Sequence, residues 1–551
     1  MIPTRAILPI ATLSLAALLL AAPAFAQVPV AASYPNEAWS VLHGWDDVTA
    51  EAGIAWAANS RLTWQQKYSK WVQGMRKIPR LGDSGFTFEV NTPHANGKVL
   101  PAPVADCADT AMMLRVTFAS WYHLPLLIKA GGSYYGHFGV RKGSATAPSA
   151  PLCSNCDFSS RTAAELASKG WPKDAGLRAK SVGTSDTNAW IANGHTGAYL
   201  DELLLNKRAG YLIIKLLNDA GSSSLAGATN LYDIQPTAIQ AGDVLIERWQ
   251  AQGIGHTIVI KDAVPVGNQI KVDIAAGWLP PRQTLWEGSV DAHGSLADAY
   301  FGGSECVDST CKETYAMYGG GIKRWRPPHK EGGHWVLGIL ASDKAVAIEP
   351  KQFDPSGKPG KAYWDALGKR VDAFESLVYL PPPAELRDEL LRLLSDDRAK
   401  LRQKPSGCAA RERREDVFAQ LYALMQDEFS TDRAHVDALY RKTEDYVFAP
   451  LDYTKSATCC WNGATQAMGD AAVKLAIQTA KAKAASGGCE DPAVFRKNGG
   501  GYQPYQTAAG AAWTPWVNDE HCPAVQIAVA EDALKPWTVS AFCTVKPFLR
   551  E

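Results

Sequence analysis

Apolar residues recur along this chain in three rhythms, and each predicts a different element. Residues 10–22 form an almost unbroken apolar run, preceded by Arg5 and followed by Ala24-Phe25-Ala26. A positive start, an apolar middle and a small-x-small end are the parts of a secretory signal, with cleavage expected after Ala26. The run is shorter than the roughly 20 residues a membrane-spanning helix needs. The mature chain is therefore expected outside the cytoplasm, periplasmic or extracellular, with no membrane span.

Helical spacing appears in residues 62–72 and more strongly in residues 106–121, where Ala111, Leu114, Phe118 and Trp121 mark one buried stripe. Asp106 is a good N-cap residue, and Pro125 limits the far end. Strand-like runs occupy residues 86–90, 241–249, 255–260 and 269–276. In the last of these Ile270, Val272 and Ile274 take one face, and Lys271, Asp273 and Ala275 the other. From about residue 350 the pattern turns helical, with Leu386, Leu390, Leu393 and Leu394 at helical spacing and an alanine-rich stretch ending at Gly487-Gly488. Residues 354–360 read as a linker. Together these elements predict an α+β region over residues 27–345, then a mostly α-helical, disulfide-bonded C-terminal domain over residues 346–551.

Charge narrows the partners. The 551 residues carry 56 basic and 56 acidic side chains. Removing residues 1–26 takes only Arg5, leaving 55 against 56. No basic field remains to hold nucleic acid.

Cysteine usage adds the chemistry. There are 11 cysteines, an odd number for an exported chain. Cys153 and Cys156 lie close together, as do Cys306 and Cys311, and six more fall between Cys408 and Cys543. Ten can pair, which leaves Cys107. The Cys153-Ser-Asn-Cys156 run has no further metal ligands at suitable spacing, so a local disulfide is expected, with neither metal nor cofactor. Cys107 falls in the first turn of the predicted helix, where free backbone N–H groups favour a thiolate. It is the expected nucleophile. His256, opening a strand, is the expected base. Asp273, on the polar face of the next strand, is the expected group that orients the imidazole, with Gln269 and Glu287 in reserve. Tyr134, Tyr135 and His137, in a Gly-rich loop, are candidates to line the cleft.

These residues resemble the papain-like superfamily, in its NlpC/P60 and transglutaminase-like branches. Asp106-Cys107-Ala108 is similar to the Asp-Cys-Ser/Ala start of NlpC/P60 hydrolases. Gly242-Asp243-Val244-Leu245-Ile246 followed by Gly255-His256-Thr257-Ile258-Val259-Ile260 is similar to their paired Gly-Asp and Gly-His strands. The run from Cys107 through Leu114-Arg115 to Leu124-Pro125 looks like the transglutaminase-like helix. The match covers about residues 106–130 and 241–280. Cys107 and His256 lie 256 − 107 = 149 residues apart, which requires an insertion at about 131–240. The resemblance implies a papain-like core, with the nucleophile helix packed on an antiparallel sheet. It implies an exported hydrolase that cleaves amides through a Cys-His-Asp acyl-enzyme, with a cell-wall peptide or other peptidoglycan-type substrate. Transglutaminase-like acyl transfer, or a non-catalytic disulfide-stabilised wall or surface binding protein, is the alternative.

Overall fold

The computed structural model describes residues 27–30, 36–80, 85–93, 98–154, 164–165, 173–183, 186, 195–203, 206–248, 255–278, 281–289, 292, 321–349, 373–374, 376–403, 408–447, 466–488, 507 and 510. The expected signal, Cys156, the Cys306/Cys311 pair and the C-terminal cysteines from Cys459 onward lie outside them.

The chain is a mixed α+β protein. Its first described helix, α1 (Trp64–Gln73), is started by a capping box in which Thr63 and Gln66 satisfy each other's backbone N–H groups. A ten-stranded sheet includes β1 (Lys77–Pro79), β2 (Phe86–Asn91), β3 (Leu231–Ile234), β4 (Val244–Arg248), β5 (Gly255–Val266), β6 (Gln269–Ala276), β7 (Leu285–Glu287), β8 (Gly321–Trp325) and β9 (Ala347–Ile348). Their spatial order is β9-β3-β8-β4-β5-β6-β7-β2-β1, with Val99–Pro101 paired to β2. Every pairing is antiparallel. β5 and β6 are joined by a tight turn at Gly267-Asn268. Gly267 takes φ +59°, a backbone state that fits glycine at the first central position of a hairpin turn.

Alternation along β5 and β6 sends side chains into two cores. Val259 and Ala275 join the first, with Ala108, Ala111 and Met112 of helix α2 (Cys107–Trp121). Ile258, Ile260, Val272, Ile274 and Ala276 join the second. The two faces of β6 are therefore divided as its period-two pattern predicts.

Helix α2 departs from its predicted single stripe. All residues from Ala108 to Ser120 are buried. The residues between α2 and β3 supply the cover, for helix α3 (Lys207–Asp219) buries Leu212, Ile213 and Leu216 in the same core as Phe118 and Val116. The stretch expected as an insertion thus clothes the second side of the helix. Even Arg115 is enclosed. Its guanidinium lies 3.3 Å from the Trp45 ring centroid and 4.7 Å from that of Tyr68, and it donates to Gln65 Oε1 at 2.9 Å.

The expected boundary at residue 345 also moves. β9 pairs with β3. Phe374 and Val378 are buried in the second core, and the Tyr379 amide donates to the Ile270 carbonyl at 2.8 Å. The sheet-bearing unit therefore continues to Tyr379, because its second face needs that cover. The helical unit begins at Pro383 with α4 (Pro383–Gln403) and continues through α5 (Cys408–Phe429), α6 (Arg433–Tyr440) and α7 (Gln466–Ala485). Its core joins Leu394, Phe418, Leu421 and Val436.

Candidate functional site

Helix α2 starts where the sequence places it. The Asp106 carboxylate accepts the Asp109 amide at 2.8 Å, so Cys107 occupies the first helical position. It is half-buried and free. Cys153, by contrast, is taken up in a disulfide.

The backbone amides of Thr257 in β5 and Ala108 in its own helix act on the sulfur and favour its ionised form. The first acts across the helix–sheet interface, from the residue next to His256. The chain leading to Cys107 is fastened to the same sheet end. Val104 and Ala105 pair with Gln283 and Arg282, and the Trp278 amide donates to the Ala105 carbonyl at 3.3 Å. Gly277 lies directly beneath this crossing. A Cβ there would collide with the carbonyl oxygens of Ala105 and Asp106.

His256 meets different neighbours from those expected. It shares its face of β5 with Ile258 and Ile260, whereas Val259 faces α2. Its ring lies against Trp278, with centroids 5.1 Å apart and planes tilted by 37°. No hydrogen bond joins it to the Cys107 sulfur among the described residues, so the thiol meets the histidine strand at its backbone.

Asp273 is not the group that orients His256. β5 and β6 pair Val259 with Ala275 and Asp262 with Asp273, so five rows, about 16 Å along the strands, separate Asp273 from His256. The two also lie on opposite faces. Asp273 accepts the Trp286 indole N–H at 2.9 Å, near Lys77 and Lys271. The reserves fail for the same reason. Glu287 pairs with Ile274, and Gln269 donates to the Ser376 carbonyl at the far end of β6.

The register shift between Ile260 and Asp262 makes Lys261 an extra residue in β5, so that Ile260 pairs with Ile274 and Val259 with Ala275. Trp278 follows the end of β6, where its ring meets that of His256 and its amide turns to the Ala105 carbonyl. Beyond Trp278 stands Arg282, its guanidinium carbon 4.2 Å from the indole centroid.

Electrostatics oppose an ion pair. Burial, followed by the charge of Asp106, pushes the Cys107 thiol up to about 11, against the pull of the two amides. This reverses the expectation that the helix start favours a thiolate. Burial, followed by the Arg282 charge, lowers His256 to about 4. At neutral pH the site therefore holds a thiol and a neutral imidazole. Burial and the neighbouring Asp106 also hold the Asp109 carboxyl well above its ordinary range.

The other candidates are structural. His137 is buried, with Nδ1 3.1 Å from the Leu126 amide and its ring against Trp335. Burial lowers it to about 3. Tyr135 donates to Asp219. Asp243 of the Gly-Asp pair accepts both Nε and Nη2 of Arg324 at 2.8 Å, a bidentate buried ion pair. A cavity of about 660 Å³ lies in the helical unit among α4, α6 and α7. Its arginines are already matched by acids, Arg398 with Asp445 at 2.6 Å and Arg441 with Glu415 at 2.7 Å. Among the described residues no cluster of His, Cys, Asp and Glu could hold a metal ion, and no helix is long and apolar enough to cross a membrane.

Sequence reasoning missed Thr257, Trp278 and Arg282. Trp278 and Arg282 follow β6 closely, but the bulge hides their register. Comparison with protein-family models, curated proteins and solved structures returns no match.

Proposed function

We propose that this chain is an exported, papain-like cysteine hydrolase acting on amide bonds, with cell-wall peptides as the substrate class. The observation that carries the reading is the free Cys107 thiol at a helix start, acted on by the amide of Thr257, the residue after His256.

The neutral pair defines the mechanism. Both groups lie at the end of β5, and as substrate enters the His256 imidazole must turn around that end to take the Cys107 proton while sulfur attacks the amide carbon. Catalytic hydrogen bonds commonly tighten only in such a complex. The developing oxyanion is stabilised by backbone N–H groups at the start of α2. The C–N bond breaks and His256 returns its proton to the leaving amine. Water, deprotonated by the same imidazole, then releases the acid and restores the thiol. An amine in place of water would give transglutaminase-like acyl transfer. Trp278 holds the plane of the imidazole by stacking, a task that a carboxylate performs elsewhere.

Purified mature protein incubated with peptidoglycan fragments should release amines. Cys107→Ala and His256→Ala should each lower that rate by at least about 10²-fold. Retention of activity by either variant overturns the assignment.

A second reading is a non-catalytic wall or surface binding protein. The raised thiol and the lack, among the described residues, of a carboxylate partner for His256 favour it. Cell-wall binding that survives both substitutions, with no amine release by the parent protein, would select it.

A further inference from the structure

Arg282 reaches the site from the ribbon that also positions the thiol. It pairs with Ala105, two residues before Cys107. Its side chain is exposed, with the guanidinium carbon over the Trp278 ring at 4.2 Å from the centroid. Its charge acts on His256, which lies against the same indole. Among the described residues no carboxylate pairs with it, although a guanidinium offers five donors in a planar fork.

A second donor is unanswered at the same place. Trp278 Nε1 is buried with no acceptor among the described residues. Buried donors nearly always have partners, and one left unanswered calls for an explanation such as a water or a bound ligand group. The nearby acids do not fill the role. The Asp106 carboxylate is taken up in capping helix α2, accepting the Asp109 amide at 2.8 Å, and Asp273 is held by Trp286 far along β6. A stacked, open guanidinium beside an unanswered indole N–H has the chemistry of a carboxylate receptor.

We propose that Arg282, stacked on Trp278, is the specificity-determining residue for a free carboxylate within about one residue of the scissile amide. The substrates would then be acidic peptides or peptide termini. This substrate assignment rests on the hydrolase reading, whereas its test needs only the free thiol.

The test compares alkylation of Cys107 in the intact mature protein by N-bromoacetyl-alanine and by N-bromoacetyl-alaninamide, followed by mass spectrometry. In each case the sulfur displaces bromide. An S–C bond forms, the C–Br bond breaks, and the thiol proton passes to His256 or solvent. The acid reagent should gain about tenfold over the amide reagent, relative to the ratio for free cysteine, as one charge-assisted contact allows. Arg282→Ala should abolish that preference, Arg282→Lys should keep part of it, and added salt should weaken it. A parent ratio equal to that of free cysteine, or an unchanged ratio in Arg282→Ala, overturns the inference. A carboxylate preference without any amide cleavage would instead sink the hydrolase reading and leave the anion site standing.

Discussion

The imidazole of His256 and the indole of Trp278 have ring centroids 5.1 Å apart, so an aromatic ring takes the place beside the imidazole that Asp273 does not reach. An aromatic ring can fix the plane of an imidazole but cannot stabilise its protonated form as a carboxylate does. With Arg282 beyond, the environment disfavours imidazolium. The site is therefore poised as a thiol beside a neutral imidazole's strand rather than as a standing thiolate–imidazolium pair.

That poise gives a defined pH dependence. Cys107 is raised to about 11 in the folded chain, so the folded state keeps its proton where the unfolded state loses it. Its contribution to stability is present below the unfolded value of roughly 8.5 and is lost as pH climbs to about 11. His256 behaves oppositely. Lowered to about 4, it contributes above the unfolded value of roughly 6.5 and loses that contribution as pH falls to about 4. Denaturant titrations should show Cys107→Ala flattening the alkaline limb and His256→Ala the acid limb. Iodoacetamide should label native Cys107 more slowly than free cysteine at pH 7–8, with the rate still rising above pH 9.

Asp273→Asn should leave both amide cleavage and Cys107 labelling unchanged. The aspartate serves Trp286 instead, and losing a charge-assisted bond to the indole should cost about 1 kcal/mol in denaturant unfolding. A drop in activity of about 10²-fold or more would restore Asp273 to the machinery.

Gly277→Ala should damage both fold and site. Its Cβ would meet two backbone carbonyl oxygens, which no flexible side chain can relieve. A loss of about 2–4 kcal/mol is expected. Residues 105–106 must shift, so surviving folded protein should show altered Cys107 labelling. Gly221→Ala, where a Cβ meets nothing, is the matched control.

Phe374→Ala should destabilise the sheet-bearing unit by about 3–5 kcal/mol, although it lies well beyond the boundary read at residue 345. Its ring fills the second core beside Val378. A loss confined to the helical unit, followed by limited proteolysis, would return the boundary to the earlier position.

Local physics made much of this protein readable. Asp106 ahead of an apolar stripe specified where α2 begins, and period-two runs specified β4, β5 and β6. The odd cysteine singled out Cys107, and the thiol does sit beside the strand that His256 opens. Full burial of α2 was not readable from the stripe, because cover for its second side comes from residues far along the chain. The boundary near residue 345 failed similarly, since nothing local in Phe374 or Val378 says that a sheet face needs them.

The sequence by itself determined where helix α2 starts and how the faces of β6 divide, because capping and periodicity are properties of neighbouring residues. Only the tertiary structure decided what each group faces. One extra residue, Lys261, shifts the register of β5 against β6, and past the end of β6 Trp278 meets His256. Burial and neighbouring charges then raise the thiol and lower the imidazole. Register and desolvation arise between distant segments, so they exist only once the chain has folded.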